Sequence, residues 1–397
     1  MTMMHLAFWS AAAFIAYVYA GYPAALWMWT LLRSGRGRKP TIGSIAKAGW
    51  RPGVSIIIAA RNEAPHLRGR IENLLQLAYP PSRRQIIVVS DGSSDDTKAV
   101  LAPYRDAIDL VSVPAGGKAR ALNAGVSRAR GELLVFTDAR QRFAADALAE
   151  LTTPFADPAI GAVSGELVLD CESRWRRLGP VERRARARPG ARERRHTFES
   201  TIGAGIGVYW RYEKAIRRLE SGLGSTLGAT GAIYAIRRSL WSPLPDGTIL
   251  DDVLAPMRAV LGGFRVVFNP RARAFDRAAP DADAEAARKI RTLAGNYQLL
   301  CFEPRLLLPW RNPVWFQFIS HKLARLLVPY ALLAVLASSI ALCREHPIYL
   351  AALIAQCAAY GLAGYGAWLE FQAKPLPPRT AAPADPGAPD EKEAVSA

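Results

Sequence analysis

The sequence has 397 residues, of which 50% are hydrophobic and 21% are charged. This apolar fraction excludes a disordered chain and suffices for one large domain or two smaller ones. The 51 lysines and arginines outnumber the 34 acidic residues, which gives a formal net charge of +17. Such a charge suits nucleic acid, an anionic membrane face or a phosphorylated substrate. The four scattered cysteines exclude a disulfide scaffold.

The chain begins with an apolar stretch at 6–32 that contains no charged residue and is long enough to span a bilayer. A cleaved signal peptide is the alternative, but it requires positive charge before the apolar run. Here the basic residues follow the run, from Arg33 onward. We therefore predict a transmembrane anchor at 1–32 with its N-terminus outside, followed by a basic linker at 33–50 in the cytoplasm.

A second apolar region contains two runs that a short polar segment around Glu345 separates. This pattern predicts a transmembrane helical hairpin at 326–371. The preceding region, 276–325, is expected to form amphipathic helices on the membrane surface. The tail at 372–397 is rich in proline, alanine and acidic residues, which predicts disorder. The predicted location is the bacterial inner membrane, with a cytoplasmic soluble domain.

Residues 51–275 alternate short strands with helices. The β-branched apolar runs at 54–60, 85–91, 108–113 and 132–138 predict parallel strands that are covered on both faces. The fold class is therefore α/β, and ligands of such sheets bind at the carboxyl ends of the strands. The sequence lacks G-x-G-x-x-G and G-x-x-x-x-G-K-[ST], so the dinucleotide-binding and P-loop interpretations lose their main support.

Four motifs follow one another in this region: VSIIIAARNE, VVSDGSSDDT, KARALNAG and GELLVFTDAR. Their order and spacing, with a later acidic pair, resemble family-2 glycosyltransferases over about residues 50–300. The resemblance implies a GT-A type nucleotide-sugar-binding domain with a parallel-dominated mixed sheet, flanked by transmembrane helices. The membrane-flanked layout resembles the synthases that build bacterial polysaccharides and cell walls.

Asp91 follows a strand, where its carboxylate can accept a hydrogen bond from a base or a ribose hydroxyl. Helix capping is the alternative role for this motif. The resemblance implies that Asp91 contacts a uridine-type base. It also implies that Ala59, Arg61 and Glu63 line the same pocket.

Lys118 begins a helix after two glycines, and a cation at a helix N-terminus suits a diphosphate. A solvated lysine is the alternative. The resemblance places Asn123 near the nucleotide sugar. Arg288, Arg291 and Thr292 stand where processive synthases have Gln-x-x-Arg-Trp, so Arg291 is expected to steady the diphosphate. The missing tryptophan weakens the case for synthesis of a long polymer.

Asp138 closes the fourth strand in the triplet Asp138-Ala139-Arg140. The resemblance implies Asp-x-Asp here, which binds ribose and a divalent cation (Mg²⁺ or Mn²⁺). A guanidinium binds phosphate but not a metal. Two alternatives stay open: Asp138 holds the metal together with diphosphate and water, or Arg140 partly replaces the ion.

Asp251 and Asp252 begin a helix, which is also an ordinary complement to the helix dipole. The resemblance implies that Asp252 is the general base that deprotonates an acceptor hydroxyl. The neighbouring charge of Asp251 is expected to raise the proton affinity of the pair. On the acceptor side we expect Gly231, in a run of small residues, and Trp210, for which a core position is the alternative.

An arginine-rich insertion at 171–199 carries ten arginines and four glutamates and predicts either a solvated segment or contact with anionic membrane lipids. The predicted function is inverting transfer of a sugar from a nucleotide diphosphate sugar, UDP-linked, to a lipid-linked or growing glycan acceptor. The alternatives are a processive polysaccharide synthase and an inactive donor-binding subunit of a glycan export complex. Nucleic acid is not an expected partner, and the sequence does not determine the oligomeric state.

Overall fold

The computed structural model describes residues 2–34, 50–169, 201–276 and 282–373. The predicted linker at 33–50, insertion at 171–199 and tail at 372–397 lie almost wholly outside these ranges. The chain divides into two compact units, Ala16–Val328 on the one hand and Met1–Ile15 with Pro329–Ala397 on the other.

Most of the elements belong to the larger unit, in which strands and helices alternate. The strands are β1 Val54–Ala60, β2 Arg84–Asp91, β3 Asp109–Val113, β4 Leu133–Phe136, β5 Arg142–Phe143, β6 Ile160–Leu169, β7 Tyr234–Arg237 and β8 Arg265–Asp276. The α-helices of the described residues are α1 Met3–Ala16, α2 Tyr22–Ser34, α3 Ala64–Leu75, α4 Thr97–Leu101, α5 Lys118–Ser127, α6 Ala147–Thr152, α7 Thr201–Leu223, α8 Asp251–Leu261, α9 Ala282–Phe302, α10 Trp315–Gln317, α11 Ala324–Leu342 and α12 Pro347–Ala373.

The strands form one mixed sheet in the order β3-β2-β1-β4-β7-β6-β8-β5. The four predicted strands, β1 to β4, are mutually parallel, while β7 runs antiparallel between β4 and β6. The predicted α/β class, with a mostly parallel mixed sheet, is confirmed.

Both faces of the sheet are covered, because neighbouring residues of a strand point to opposite faces. Ile56 and Ile58 of β1 lie in one core cluster, with Leu67 and Ile71 of α3. Ile57 between them lies in the other cluster, which includes side chains of α5 and α8. Helices α5 and α8, which carry predicted site residues at their first positions, are thus fixed by packing on the same face.

Within the part of the chain that the structure describes, three helical stretches are long and apolar enough to cross a membrane: Met3–Arg33, Trp315–Leu342 and Pro347–Leu369. The second begins before the predicted hairpin boundary at residue 326 and includes residues 315–325, the last part of the region that was expected to lie on the membrane surface. No proline or glycine occurs between Trp315 and Val328 to end the helix. A π-helical turn at Phe318–Leu323 instead joins α10 to α11.

The smaller unit has its own apolar cluster, in which α1 packs against α11 and α12. Phe8 lies edge-on to Tyr349, with ring centroids 4.8 Å apart. The indole of Trp9 donates to the hydroxyl of Tyr349 at 3.3 Å, and His5 lies 3.0 Å from Glu345.

Candidate active site

One ammonium group joins two acidic side chains at the carboxyl edge of the sheet. Lys118 is the first residue of α5, Asp138 follows β4, and Asp251 is the first residue of α8. The Nζ atom of Lys118 lies 3.1 Å from Oδ1 of Asp138 and 3.3 Å from Oδ1 of Asp251. The structure therefore brings together three predicted site residues that are far apart in the sequence.

Burial gives the Asp251 carboxyl an unusually high pKa. Its side chain is 5% exposed, whereas that of Lys118 is 41% exposed. Burial, reinforced by the charges of Asp252 and Asp138, raises the pKa of Asp251 to about 6 against the opposing effect of Lys118. Burial also opposes the charge of Lys118, but the three aspartates outweigh it and raise the pKa of Lys118 well above its usual range. The sequence predicted a raised proton affinity for the pair of Asp251 and Asp252, and in the structure the raised pKa belongs to Asp251.

Tyr234, at the start of β7, adds an unforeseen group beside this cluster. Burial and the neighbouring aspartates raise the pKa of Tyr234 well above its usual value, so the hydroxyl stays protonated. This hydroxyl interacts with the Asp251 carboxylate, but among the described residues neither it nor Oδ2 of Asp251 makes a hydrogen bond of good geometry. Buried polar atoms that are incompletely hydrogen-bonded are rare in folded proteins, so they distinguish this cluster from the rest of the core.

Asp252 is half-buried and is held in place by the backbone. Its Oδ2 atom accepts a hydrogen bond from the backbone N–H of Gly231 at 2.8 Å, and its carbonyl accepts one from Ala229 at 2.7 Å. A Cβ atom at Gly231 would lie 3.3 Å from that carboxylate oxygen, so a larger residue would crowd it. The predicted base and the predicted acceptor-side glycine are thus direct neighbours.

Asp91 shapes the loop that precedes Lys118. Its two carboxylate oxygens accept the backbone N–H groups of Gly116 at 2.7 Å and Gly117 at 3.0 Å, and the side chain is buried. Gly117 has a φ of 87°, a conformation that residues other than glycine rarely adopt. A carboxylate has further lone pairs for a base or ribose, but its first role here is to hold the turn that begins α5.

Arg140, the last residue of the altered triplet, is paired with Glu63. Its Nε atom lies 3.2 Å from both carboxylate oxygens and its Nη2 atom 3.0 Å from Oε1. Two residues predicted for the donor pocket therefore bind each other. Ala59 is half-buried at the end of β1, and Arg61 is exposed just beyond it at the same edge.

Three predicted residues lie outside this cluster. The side-chain amide of Asn123 donates to the carbonyl of Leu244 at 2.9 Å and accepts from its N–H at 3.0 Å, so both polar atoms serve a backbone bridge rather than the predicted sugar contact. Arg291 on α9 is exposed, and Trp210 on α7 is half-buried. Within the described ranges, no hydrogen bond or ion pair joins either residue to the aspartates.

Arg70 was missed by the sequence analysis, although it is fully buried beneath the loop that carries Asp138. It donates to Oδ1 of Asn73 and to Oγ1 of Thr137, both at 2.8 Å, and its guanidinium lies 4.2 Å from the centre of the Phe143 ring. Burial lowers the pKa of Arg70 to about 9. The available signal was its position among the apolar residues that form the inner face of α3.

Residues 55–218 match the family model described as glycosyl transferase family 2. The chain contains a family 2 glycosyltransferase domain. This confirms the family that the four sequence motifs indicated.

Curated relatives carry glycosyltransferase names. Over 121 residues, 29% of this chain, the sequence is 33% identical to beta-monoglucosyldiacylglycerol synthase of Trichormus variabilis. Over 253 residues, 62% of this chain, it is 23% identical to poly-beta-1,6-N-acetyl-D-glucosamine synthase of Staphylococcus aureus. The chain spans only 26% of the first relative and 55% of the second.

A solved structure shares the fold of this glycosyltransferase domain and its flanking helices. The mannosyltransferase PcManGT from Pyrobaculum calidifontis, in complex with GDP-Man and Mn²⁺, superposes with a TM-score of 0.64 at 24% identity. The match covers 91% of this chain and 94% of that one. The predicted GT-A type of fold is thereby confirmed.

The residues of this family 2 domain offer limited ligands for a divalent ion. Within the described ranges, no three His, Cys, Asp or Glu side chains are grouped so as to hold a metal. Asp138 keeps one carboxylate at the edge, 42% exposed, and Lys118 already pairs with it. A hard cation that takes the rest of its oxygen ligands from a diphosphate and water fits this single carboxylate.

Proposed function

We propose that this protein is an inverting glycosyltransferase that moves a sugar from a nucleotide diphosphate sugar, UDP-linked, to a lipid-linked or growing glycan acceptor. The observation that carries the proposal is the cluster of Lys118, Asp138 and Asp251, with Asp252 beside it, at the carboxyl edge of a family 2 domain. Fixed cations and acids at this edge suit a diphosphate and a reacting hydroxyl.

The donor would lie along the edge from Asp91 to Asp138. The turn that Asp91 holds presents the N-terminus of α5 and the Lys118 ammonium, which together favour the negative charge of a diphosphate. The side chain of Arg140 is 62% exposed, so a phosphate can reach its guanidinium although Glu63 already binds it. Arg291 remains a proposed contact to the diphosphate.

The acceptor would react beside Asp252. As a hydroxyl oxygen attacks the anomeric carbon, the carboxylate of Asp252 takes its proton and the bond to the diphosphate breaks. One in-line displacement inverts the anomeric centre, and no nucleophile from the protein is needed. Gly231 fixes the carboxylate, and Asp251 holds Lys118 towards the leaving diphosphate.

A divalent ion, Mg²⁺ or Mn²⁺, would be held by Asp138 and would neutralise charge on the departing nucleotide. We expect excess EDTA to lower turnover several-fold without abolishing it, because Lys118 and Arg140 supply part of the positive charge. Turnover is measured in EDTA before and after excess Mn²⁺ or Mg²⁺ is added. Arg140→Gln should increase the loss in EDTA, and undiminished wild-type turnover in EDTA would contradict the metal assignment.

Arg70 is proposed to position the loop of Asp138. We expect Arg70→Met to change the free energy of unfolding by less than about 1.5 kcal/mol, because buried charges often exchange for apolar groups at little cost. Thr137 also donates to Ala232, and Asn73 also accepts from Phe143, so both keep partners.

In the same variant, the dissociation constant for UDP should rise several-fold, since the loop loses its support. Thermal unfolding and a UDP titration measure the two effects, with Arg70→Lys as the variant that keeps the charge. An unfolded protein, or unchanged UDP affinity, would show that Arg70 has only a structural role.

The three candidate membrane helices suit an inner-membrane enzyme whose catalytic domain is in the cytoplasm. The basic residues after the first helix favour that side, by the positive-inside rule. The partners would then be the nucleotide sugar, the acceptor and anionic membrane lipids.

The test is a screen of nucleotide sugars for turnover, with membranes that contain this protein, compared with membranes that contain Asp252→Asn. Turnover of one donor by the wild type alone supports the proposal. The absence of turnover with every donor, in both samples, favours an inactive donor-binding subunit. The product length obtained with the purified protein in liposomes distinguishes single addition from processive synthesis.

A further inference from the structure

A buried set of charged side chains joins α7 to the π-helical turn of the membrane-crossing stretch Trp315–Leu342. Glu220 accepts from the hydroxyl of Tyr22 at 2.7 Å and lies 2.7 Å from Nδ1 of His321. Glu213 lies 3.4 Å from Nε2 of the same histidine and also binds Arg325. Ionisable groups in a membrane-crossing stretch are costly, and they mark functional sites more often than structural ones.

The charges of these four ionised groups balance. Both ring nitrogens of His321 face carboxylate oxygens, which only accept hydrogen bonds, so both nitrogens donate and the ring is an imidazolium. His321 and Arg325 then offset Glu213 and Glu220.

Two further cations at this place are not part of that balanced set. Arg217 is four residues after Glu213 and three before Glu220, so it is on the same face of α7. Lys322 follows His321 in the π-helical turn. Within the described residues, neither Arg217 nor Lys322 makes a hydrogen bond or an ion pair.

The position of these cations connects them with the reacting centre. The charges that act on Lys322 are that of Arg217, which repels it, and those of Asp252, the proposed base, Glu213 and Glu220, which attract it. Two partly buried cations that repel each other favour an anion between them. π-Helical turns are rare and often occur at functional sites, which agrees with a ligand at Lys322.

We propose that Arg217 and Lys322 bind the phosphate group of a lipid-linked acceptor, so that the acceptor's sugar hydroxyl reaches Asp252. This inference rests on the proposed function and names its acceptor as a lipid that carries a phosphate. A lipid is the source because Lys322 belongs to a helix that is long and apolar enough to cross a membrane. A guanidinium and an ammonium are the usual partners of phosphate oxygens.

The test measures lipid binding to the full chain in neutral detergent by native mass spectrometry. The probes are dioleoyl phosphatidic acid, dioleoylglycerol with the same chains but no phosphate, and inorganic phosphate. We expect the wild type to bind phosphatidic acid at least tenfold more tightly than either other probe. The variants Arg217→Gln and Lys322→Gln should each lose at least tenfold in affinity for phosphatidic acid, and Lys322→Arg should retain it.

Arg211→Gln is the matched control, because Arg211 is an exposed arginine on the opposite face of α7. It should bind phosphatidic acid like the wild type. Equal binding of dioleoylglycerol, unchanged binding by both glutamine variants, or an equal loss in Arg211→Gln would overturn the inference. Tight binding of inorganic phosphate alone would also overturn it, in favour of a site for free phosphate.

A UDP titration of the same samples separates the two proposals. Variants that bind UDP normally but have lost phosphatidic acid support the lipid site in a folded protein. If the wild type does not bind UDP, the proposed function fails whatever the lipid result. If Lys322→Gln has lost UDP binding as well, Lys322→Arg and Arg217→Gln are compared instead. Retained phosphatidic acid binding in Lys322→Arg with loss in Arg217→Gln supports the inference, and any other result overturns it.

Discussion

Replacement of Asp252 by asparagine is expected to lower turnover by about 10²–10⁴-fold, the usual contribution of a general base. Asparagine has nearly the same shape, and its carbonyl oxygen can still accept the backbone N–H of Gly231. The loss should therefore appear in kcat, while the affinity for UDP and the unfolding temperature stay close to those of the wild type.

The measurement compares kcat, the UDP dissociation constant and thermal unfolding of the wild type and Asp252→Asn. Asp252→Ala is the companion variant, since it also removes the bond to Gly231 and should cost some stability. A kcat for Asp252→Asn within threefold of the wild type would remove Asp252 from the role of base. A parallel loss of UDP binding would indicate that Asp252 holds the donor instead.

Replacement of Lys118 by glutamine is expected to weaken both the donor site and the fold. The change leaves Asp251, with its side chain 5% exposed, without its counter-ion, at a cost on the order of 1–3 kcal/mol for a buried unpaired group. It also removes the cation that is proposed to face the diphosphate, so UDP affinity should fall at least tenfold. Chemical denaturation and a UDP titration measure the two losses separately.

A double variant distinguishes these two roles of Lys118. In Lys118→Gln/Asp251→Asn no buried charge is left without a partner, so most of the lost stability should return while UDP affinity stays low. Recovery of both quantities would mean that Lys118 acts only as a counter-ion to Asp251. An unchanged UDP affinity in Lys118→Gln alone would exclude the lysine from donor binding.

The strands and the edge that carries the site were predictable, because each parallel strand is a short apolar run with polar residues at its end. β1, β2 and β4 lie within one or two residues of the predicted runs. That Asp138 and Asp251 lie at one edge followed from the motif order and the family resemblance. The shared contact with Lys118 did not, because spacing in the sequence does not tell which side chains pair in space.

Other side-chain contacts could not be predicted either, again because the sequence does not show which side chains pair in space. Glu63 and Arg140 each have the chemistry of a ligand-binding residue, and only the structure shows that they bind each other. Asn123 occupies a motif position, yet its amide serves the backbone of Leu244. The helix from Trp315 continues past the predicted boundary, and its polar residues pair with an acidic side chain of α7, a contact that the sequence pattern did not indicate.

The segment between Leu244 and Asp251 is held by side-chain hydrogen bonds from two helices. Asn123 of α5 grips the backbone of Leu244, while Gln298 of α9 accepts from Ile249 at 2.9 Å and donates to Gly247 at 2.9 Å. Through this segment, α5, which begins with Lys118, is connected to α8, which begins with Asp251. A movement of either helix on substrate binding would therefore reach the other through this hydrogen-bonded segment.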